Sequence, residues 1–332
     1  MPEREINPDE AQEHALLAQM QSRTTVQRIE NQDGSVDIET EEGDKYKIEK
    51  IESGKDPRVK ESHGLLKRTF GRAEVDSLRT IQTAIDGKVV GDEESADTPL
   101  LVHTVQNEQG NVIGTNHSAV LETLNPEFKG TGDGVALQAY TAVEKGQEGK
   151  GIDREMLRKS VTDALKHARE RNVKLAAIIT EATAEAPEGF YNSIGMRRMY
   201  FENAEGKLVE VPYRQSELAD DWDPGSGNPR EGAEKVALHL MTARLDQQTH
   251  ITADEVMGYV RAIMNYDSFQ TEGYFKNQRA YTAHETTLQK DLHELATALK
   301  EAKDGKIMLM TEAERNAWKQ KHGPDSVVEH LK

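Results

Sequence analysis

The chain has 332 residues, no cysteine and a formal net charge of −17, from 59 acidic and 42 basic side chains. That length suits one main domain with appendages, and the lack of cysteine excludes disulfides, thiol nucleophiles and thiolate metal sites. The charge opposes attraction to nucleic-acid backbones and anionic membranes and favours cationic acceptors, or serves solubility alone.

Residues 8 to 22 pattern as a short helix. The following stretch alternates apolar and polar residues around the turn pairs Asp33-Gly34 and Gly43-Asp44, which predicts a small antiparallel meander serving as a cap, an edge extension or a dimer contact. Two helices follow Pro57, one through Leu65, Leu66 and Phe70, the other through Val75, Leu78, Ile81 and Ile85. GDEESADTP then reads as a charged loop, and LLVHTVQ and NVIGTNHSAVLETL as a hairpin. Val135 to Val143 is a further strand, followed by the glycine-rich EKGQEGKGID and a helix with Leu157, Val161, Ala164, Leu165 and Ala168 on one face. VKLAAIITEA is an apolar strand of the buried type, so strand, helix and strand form a parallel crossover. A helix in PEGFYNSIGM and the runs RRMYFENAEGKLVEVPY and AEKVALHLMTARL complete the alternation.

From His250 the pattern is helical, with capping boxes at Thr252/Glu255 and Thr311/Glu314. Tyr281, Leu288, Leu292, Leu295 and Leu299 form one narrow apolar seam, whose partner is the same chain's core or a second subunit. The longest apolar stretches, such as Leu175 to Ile179, are too short for a bilayer, and the first ten residues lack the order of a signal peptide. A cytoplasmic protein is therefore expected. The eleven histidines, His284 and His293 included, have no zinc spacing, and no metal is expected.

The chemistry concentrates between Val143 and Asp153, where glycines after a strand and before a helix offer free N–H groups and a helix dipole to phosphates, or simply make a tight turn. The order of helices, hairpin, AYTAV, GQEGKGI, ALKHARERNVK, LAAIITEA and GFYNSIGM, over about residues 56 to 245, resembles the GNAT superfamily of acetyl-CoA-dependent N-acetyltransferases. The resemblance implies a mixed α/β fold: a mostly antiparallel central sheet with a splayed strand pair and helices on both faces. Residues 1–55 would be an N-terminal helix and meander, 56–245 the acyltransferase domain and 246–332 a helical extension. A homodimer would form through the meander or the C-terminal helices.

The same resemblance implies that acetyl-CoA is the co-substrate, its pyrophosphate over Gly149, Lys150, Gly151 and Ile152 and its pantetheine arm beside Val143. Tyr191 matches the tyrosine that protonates the departing thiolate, and Asn192 is a further contact. The sequence departs from the family pattern where Glu148 and Asp153 flank Gly151. A register shifted by two residues, with Gln147 near the usual polar position, relieves part of that repulsion, and Lys145 and Lys150 are available to compensate. The strand positions that carry a glutamate in relatives are Leu137 and Gln138 here, which leaves Glu122, Glu144 and His117 as substitutes for the base that takes the amine's proton. Glu217, Asp220, Asp221 and Asp223 around Trp222 suit a cationic acceptor or a plain solvated loop.

Overall fold

The computed structural model describes residues 8–21, 25–70, 74–89, 92–95, 98–183, 186–215, 217–218, 221–233, 235–267 and 272–330. Helix α1 (Pro8–Gln19) precedes a meander of β1 (Thr25–Glu30), β2 (Val36–Thr40) and β3 (Lys45–Ile51). Helix α2 (Pro57–Thr69) starts where Asp56 accepts from the Arg58 N–H and Pro57 presets the first turn, and α3 (Leu78–Ile85) starts at a Ser77 cap. The expected charged loop instead carries a small hairpin, β4 (Lys88–Val89) with β5 (Asp92–Ser95).

The core continues with β6 (Leu101–Asn107), β7 (Val112–Leu124) and β8 (Gly130–Val143), then α4 (Ile152–Glu170), β9 (Lys174–Ala182), α5 (Glu188–Ser193) and β10 (Arg197–Glu202). Short strands β11 (Leu208–Glu210), β12 (Arg214–Gln215) and β13 (Val236–Ala237) lead to β14 (His239–Arg244). The last part is β15 (His250–Thr252), α6 (Ala253–Asp267), α7 (Gln278–Leu299), β16 (Lys306–Met310), α8 (Glu312–His322) and β17 (Val327–Val328).

One mixed sheet organises these elements in the order β1-β2-β3-β6-β7-β8-β9-β14-β10-β11-β17, with β16 on β10 and β15 on β16. Its pairs are antiparallel except β8 with β9 and β11 with β17. The parallel pair follows from the crossover through α4, since a parallel neighbour needs a long connection. Period-two alternation sends side chains to two faces. Leu121, Leu137 and Ile179 pack with α6 and α7, whereas Val120, Ala136 and Ile178 pack with α4 and α1. Helices therefore cover both faces, and the fold is the mixed α/β sheet with a splayed pair that the resemblance implies.

The expected all-helical tail is interrupted by β16, whose Ile307 and Leu309 point into the core while its backbone pairs β10. Five residues carry too little periodicity to be read as a strand between two helices. The apolar seam of α7 closes within the chain: Leu288, Leu292, Leu295 and Leu299 share a core cluster with Val256, Val260 and Ile263 of α6. No helix among the described residues is long and apolar enough to cross a membrane.

Candidate active site

The opening that defines the site is created by β8 and β9. They pair from Asp133 with Lys174 to Gln138 with Thr180, where the Thr180 hydroxyl donates to the Gln138 carbonyl at 2.9 Å. Beyond that point β8 keeps pairing with β7 as far as Val143, while β9 turns to β14 as far as Ala182. Residues 139 to 143 thus pair with no strand along one edge among the described residues, which leaves backbone donors and acceptors for a ligand. A bulge at Ala139 sets the change of direction, since His117 faces Tyr140 and Ser118 faces Gln138.

Past Val143 the chain makes tight turns through Gly146, Gly149 and Gly151, at φ of 89°, 79° and 77°. Only glycine adopts these values without strain. Gly151 is the N-cap of α4 and has no side-chain cap, and a Cβ on Gly149 would meet nothing within 4 Å. Gly149 thus borders open space just before a 19-residue helix whose dipole is positive at this end, although within the first turn Asp153 Oδ1 already accepts the Arg154 N–H at 2.8 Å. Ile152 supplies the anchor: its side chain is buried with Met156 among Val36, Ile38, Ile48 and Ile113, so only its backbone is offered to a ligand. Val143 packs against the edge of the same cluster.

The polar side chains of this loop are already engaged. Lys150 Nζ lies 2.7 Å from Asp44 Oδ2, and the Tyr46 hydroxyl contacts Gln147 Oε1 at 3.2 Å, so both residues are drawn to the meander. Lys150 as placed does not offset the loop's acidic residues. The Glu148 carboxylate folds back onto its own backbone N–H and that of Gly146, and these two hydrogen bonds, in that order, hold it below the ordinary carboxylate range. Burial moves the Asp153 carboxyl the other way, upward.

On the α4 side of the opening, α5 brings Tyr191 to its hinge. The phenol hydrogen-bonds with Thr180, the last residue of β9 paired with β8, and burial raises it above the ordinary tyrosine value. Asn192 turns back to bond Glu188, and its buried Oδ1 has no partner among the described residues.

The three residues expected as alternative bases are each engaged elsewhere. Glu122 sits at the far end of β7, where it accepts the Gly132 N–H at 2.8 Å; it is five positions along the strand from His117, about 16 Å. Glu144 lies at the start of the glycine loop, half-buried and 3.6 Å from Arg68. His117 is fully buried and bonded to Ser62 at 2.9 Å, and desolvation pushes it down to about 3, so it is a neutral core residue.

A different set of acids lines the other face of the opening. Glu181, one residue past the last β8–β9 pair, accepts from the Tyr213 hydroxyl at 2.5 Å. Asp267 and Tyr266 come from the end of α6, and Asp76 from the segment before α3 accepts from the Tyr140 hydroxyl at 3.3 Å. These groups feel one another: Glu181 and Asp76 both push the Asp267 carboxyl upward, adding to its burial. Burial pushes Glu181 up to about 7, against the opposing Tyr213 bond. Glu181, Asp267, Tyr140 and Tyr266 each retain some exposed surface although desolvation dominates their ionisation, the combination expected of walls of a narrow concavity. The sequence signal for Glu181 is its place at the carboxyl end of a buried parallel strand, where ligands collect in open α/β sheets. Asp267 carries no such signal.

The acidic loop around Trp222 does not present an aromatic face to a cation. Trp222 is fully buried against His284, with ring centroids 4.2 Å apart, and Glu217 is buried as well. Asp223 is used within the loop, accepting from the Gly225 and Ser226 N–H groups. Asp220 lies outside the described residues. Tryptophan at the centre of a polar loop reads as an exposed platform in sequence, but its large apolar area is the loop's anchor.

No protein-family profile matches the chain, and no curated protein matches it. Solved structures do. An aminoglycoside acetyltransferase from an uncultured soil metagenomic sample is 18% identical, covering 45% of this chain and 86% of its own, with a TM-score of 0.32. An acetyltransferase of the GNAT family from Staphylococcus aureus is 15% identical over 60% of this chain and 99% of its own, with a TM-score of 0.34. The aminoglycoside N-acetyltransferase AAC(6')-Iy, solved in complex with CoA, is 10% identical over 46% and 88%, with a TM-score of 0.33. All three of these are described as acetyltransferases, one of them of the GNAT family.

Proposed function

We propose that the chain is an acetyl-CoA-dependent N-acyltransferase that moves an acetyl group to a primary amine of a cationic small molecule, peptide or lysine side chain. The observation that carries this reading is the pairing of Tyr191 and Glu181 across the point where β8 and β9 part: one is joined to Thr180, the other follows it in the chain. The uncapped N-terminus of α4, with Gly149 and Gly151, fits a pyrophosphate. The free edge of residues 139 to 143 fits the pantetheine amides and offers an N–H to the oxyanion.

In this reading the acidic wall of Asp76, Glu181 and Asp267 draws in a protonated amine, and Glu181 takes its proton, which a carboxyl titrating near 7 does well at neutral pH. The neutral nitrogen attacks the thioester carbonyl directly. Tyr191 then gives its hydrogen to the departing thiolate, being protonated at neutral pH and set in a desolvated position, and the proton that the acylated nitrogen sheds restores the phenol by way of solvent. No covalent acyl-enzyme forms. Residues 56–245 are read as the acyltransferase unit, with 1–55 and 246–332 added to it and α6 of the latter lending Tyr266 and Asp267 to the opening. A cytoplasmic location and a homodimer through the meander edge belong to the same reading.

Lys150, drawn away to Asp44, favours a second reading in which the fold serves binding or assembly without catalysis. Isothermal titration with acetyl-CoA, free CoA and desulfo-CoA, followed by a transfer assay with polyamines and basic peptides, separates the two. Micromolar binding with acetylated product supports the enzyme; absence of binding to every CoA species rejects it and leaves the scaffold.

A further inference from the structure

We infer that Arg315, in the C-terminal segment, is a positioning residue for Tyr191, acting through Glu188 at the first position of α5. The inference rests on the reading of Tyr191 as the proton donor. Helix α5 has six residues, an N-cap Pro187 without a side-chain cap, and no fully buried residue. A helix this short does not hold its own geometry. Its start is instead gripped by two guanidinium groups. Arg315 reaches both oxygens of Glu188 at 2.5 and 2.7 Å, and Arg198 Nη2 reaches Oε2 at 2.8 Å.

The grip is directional and nearly dry. The side chains of Arg315, Arg198 and Glu188 are 5%, 10% and 11% exposed. A forked, two-bond contact fixes the carboxylate's orientation as well as its place. Asn192, the neighbour of Tyr191, bonds back to Glu188, so the same carboxylate organises the helix from first residue to fifth. Helix α8 is started by the reciprocal Thr311/Glu314 cap, Glu314 also binds Arg197 of β10 at 2.9 Å, and the Arg315 guanidinium lies 5.4 Å from the centre of the Tyr200 ring. The C-terminal segment thus presents Arg315 from a rigid mount, and Tyr191 stands one turn beyond the residue it holds.

The test uses the full chain with carbon-13-labelled tyrosine. Tyr191 is assigned from the missing resonance of Tyr191→Phe, and its titration is followed in wild type, Arg315→Met and Arg315→Lys. Arg198 still pairs Glu188 in these variants, so no buried charge is stranded and folding, checked by circular dichroism, is expected to survive. Tyr191 should titrate above the ordinary tyrosine value in wild type, fall toward it in Arg315→Met, and recover in part with lysine. Acetyl transfer should drop roughly 10 to 100 fold in Arg315→Met with acetyl-CoA affinity unchanged, and Arg315→Met should cost nothing further in a Tyr191→Phe background. An unmoved Tyr191 titration in Arg315→Met, or an undiminished loss in the Tyr191→Phe background, overturns the inference. The titration needs no substrate, so a wild-type protein without transferase activity would defeat the functional reading while the placement of Tyr191 by Arg315 is still decided.

Discussion

The Tyr213 hydroxyl donates to Glu181 across 2.5 Å, and this single bond joins the segment after β11 to the end of β9 at the mouth of the strand opening. Both side chains are pushed toward their protonated forms by desolvation, and the bond opposes that push at Glu181 while adding to it at Tyr213. A carboxyl kept near 7 by two opposed effects is poised to exchange protons with an amine at physiological pH.

If Glu181 is the base, transfer requires its ionised form. The value of kcat/KM should therefore rise about tenfold per pH unit below 7 and level off above it, and Glu181→Gln should lower the plateau by roughly 100 to 10,000 fold and remove the rise. Stability carries the opposite slope. The folded carboxyl holds its proton more tightly than the unfolded one, so its contribution is present below the ordinary carboxylate range and is lost as pH rises toward 7. Thermal melts of wild type and Glu181→Gln at pH 5 and pH 8 read this directly: the variant should lose less Tm between the two pH values. Equal slopes would show that Glu181 titrates no differently when folded.

Tyr213→Phe removes the one contact among the described residues that favours the Glu181 carboxylate. Burial is then unopposed, and the acid limb of the rate profile should move to higher pH with its plateau nearly intact. A limb that stays in place, or moves down, contradicts the role given to this hydrogen bond.

In the glycine loop before α4, the Glu148 carboxylate occupies the Gly146 N–H and adds negative charge where the proposed function puts a pyrophosphate. Glu148→Gln keeps the shape and removes the charge, and should tighten acetyl-CoA binding by roughly 3 to 10 fold, less at high salt. Titration calorimetry at two ionic strengths measures it. Weaker binding in the variant would place the pyrophosphate somewhere other than the N-terminus of α4.

The order of the core elements was legible because each rests on local chemistry: Asp56 and Ser77 cap their helices, Gly149 and Gly151 turn the chain at left-handed φ, and Ile178 and Ile179 serve two buried faces at once. The acid wall was not. Glu181 reads as the polar end of an apolar strand, and Asp267 and Asp76 lie 86 and 105 residues away from it in a direction sequence does not give. Glu122 was misplaced for a related reason: β7 is 13 residues long, and its two ends serve different parts of the molecule. Trp222 misled because composition reports what surrounds a residue in the chain, whereas its burial is decided by α7, which begins more than 50 residues later.

The seam on α7 gives the last prediction. Leu288 is fully buried, and it meets α6 in the cluster that also holds Leu121, Leu137 and Ile179 beneath the opening. Leu288→Ala removes three carbons from a site walled by the sheet on one side and two helices on the other, where collapse is limited, so the loss should be about 2 to 5 kcal/mol. Urea denaturation followed by circular dichroism measures it. Because the seam closes on α6 of the same chain, Leu288→Ala should leave the concentration dependence of the midpoint as it is in the wild type; a midpoint that rises with concentration in the wild type and not in the variant would mean that Leu288 stabilises the protein through a second subunit.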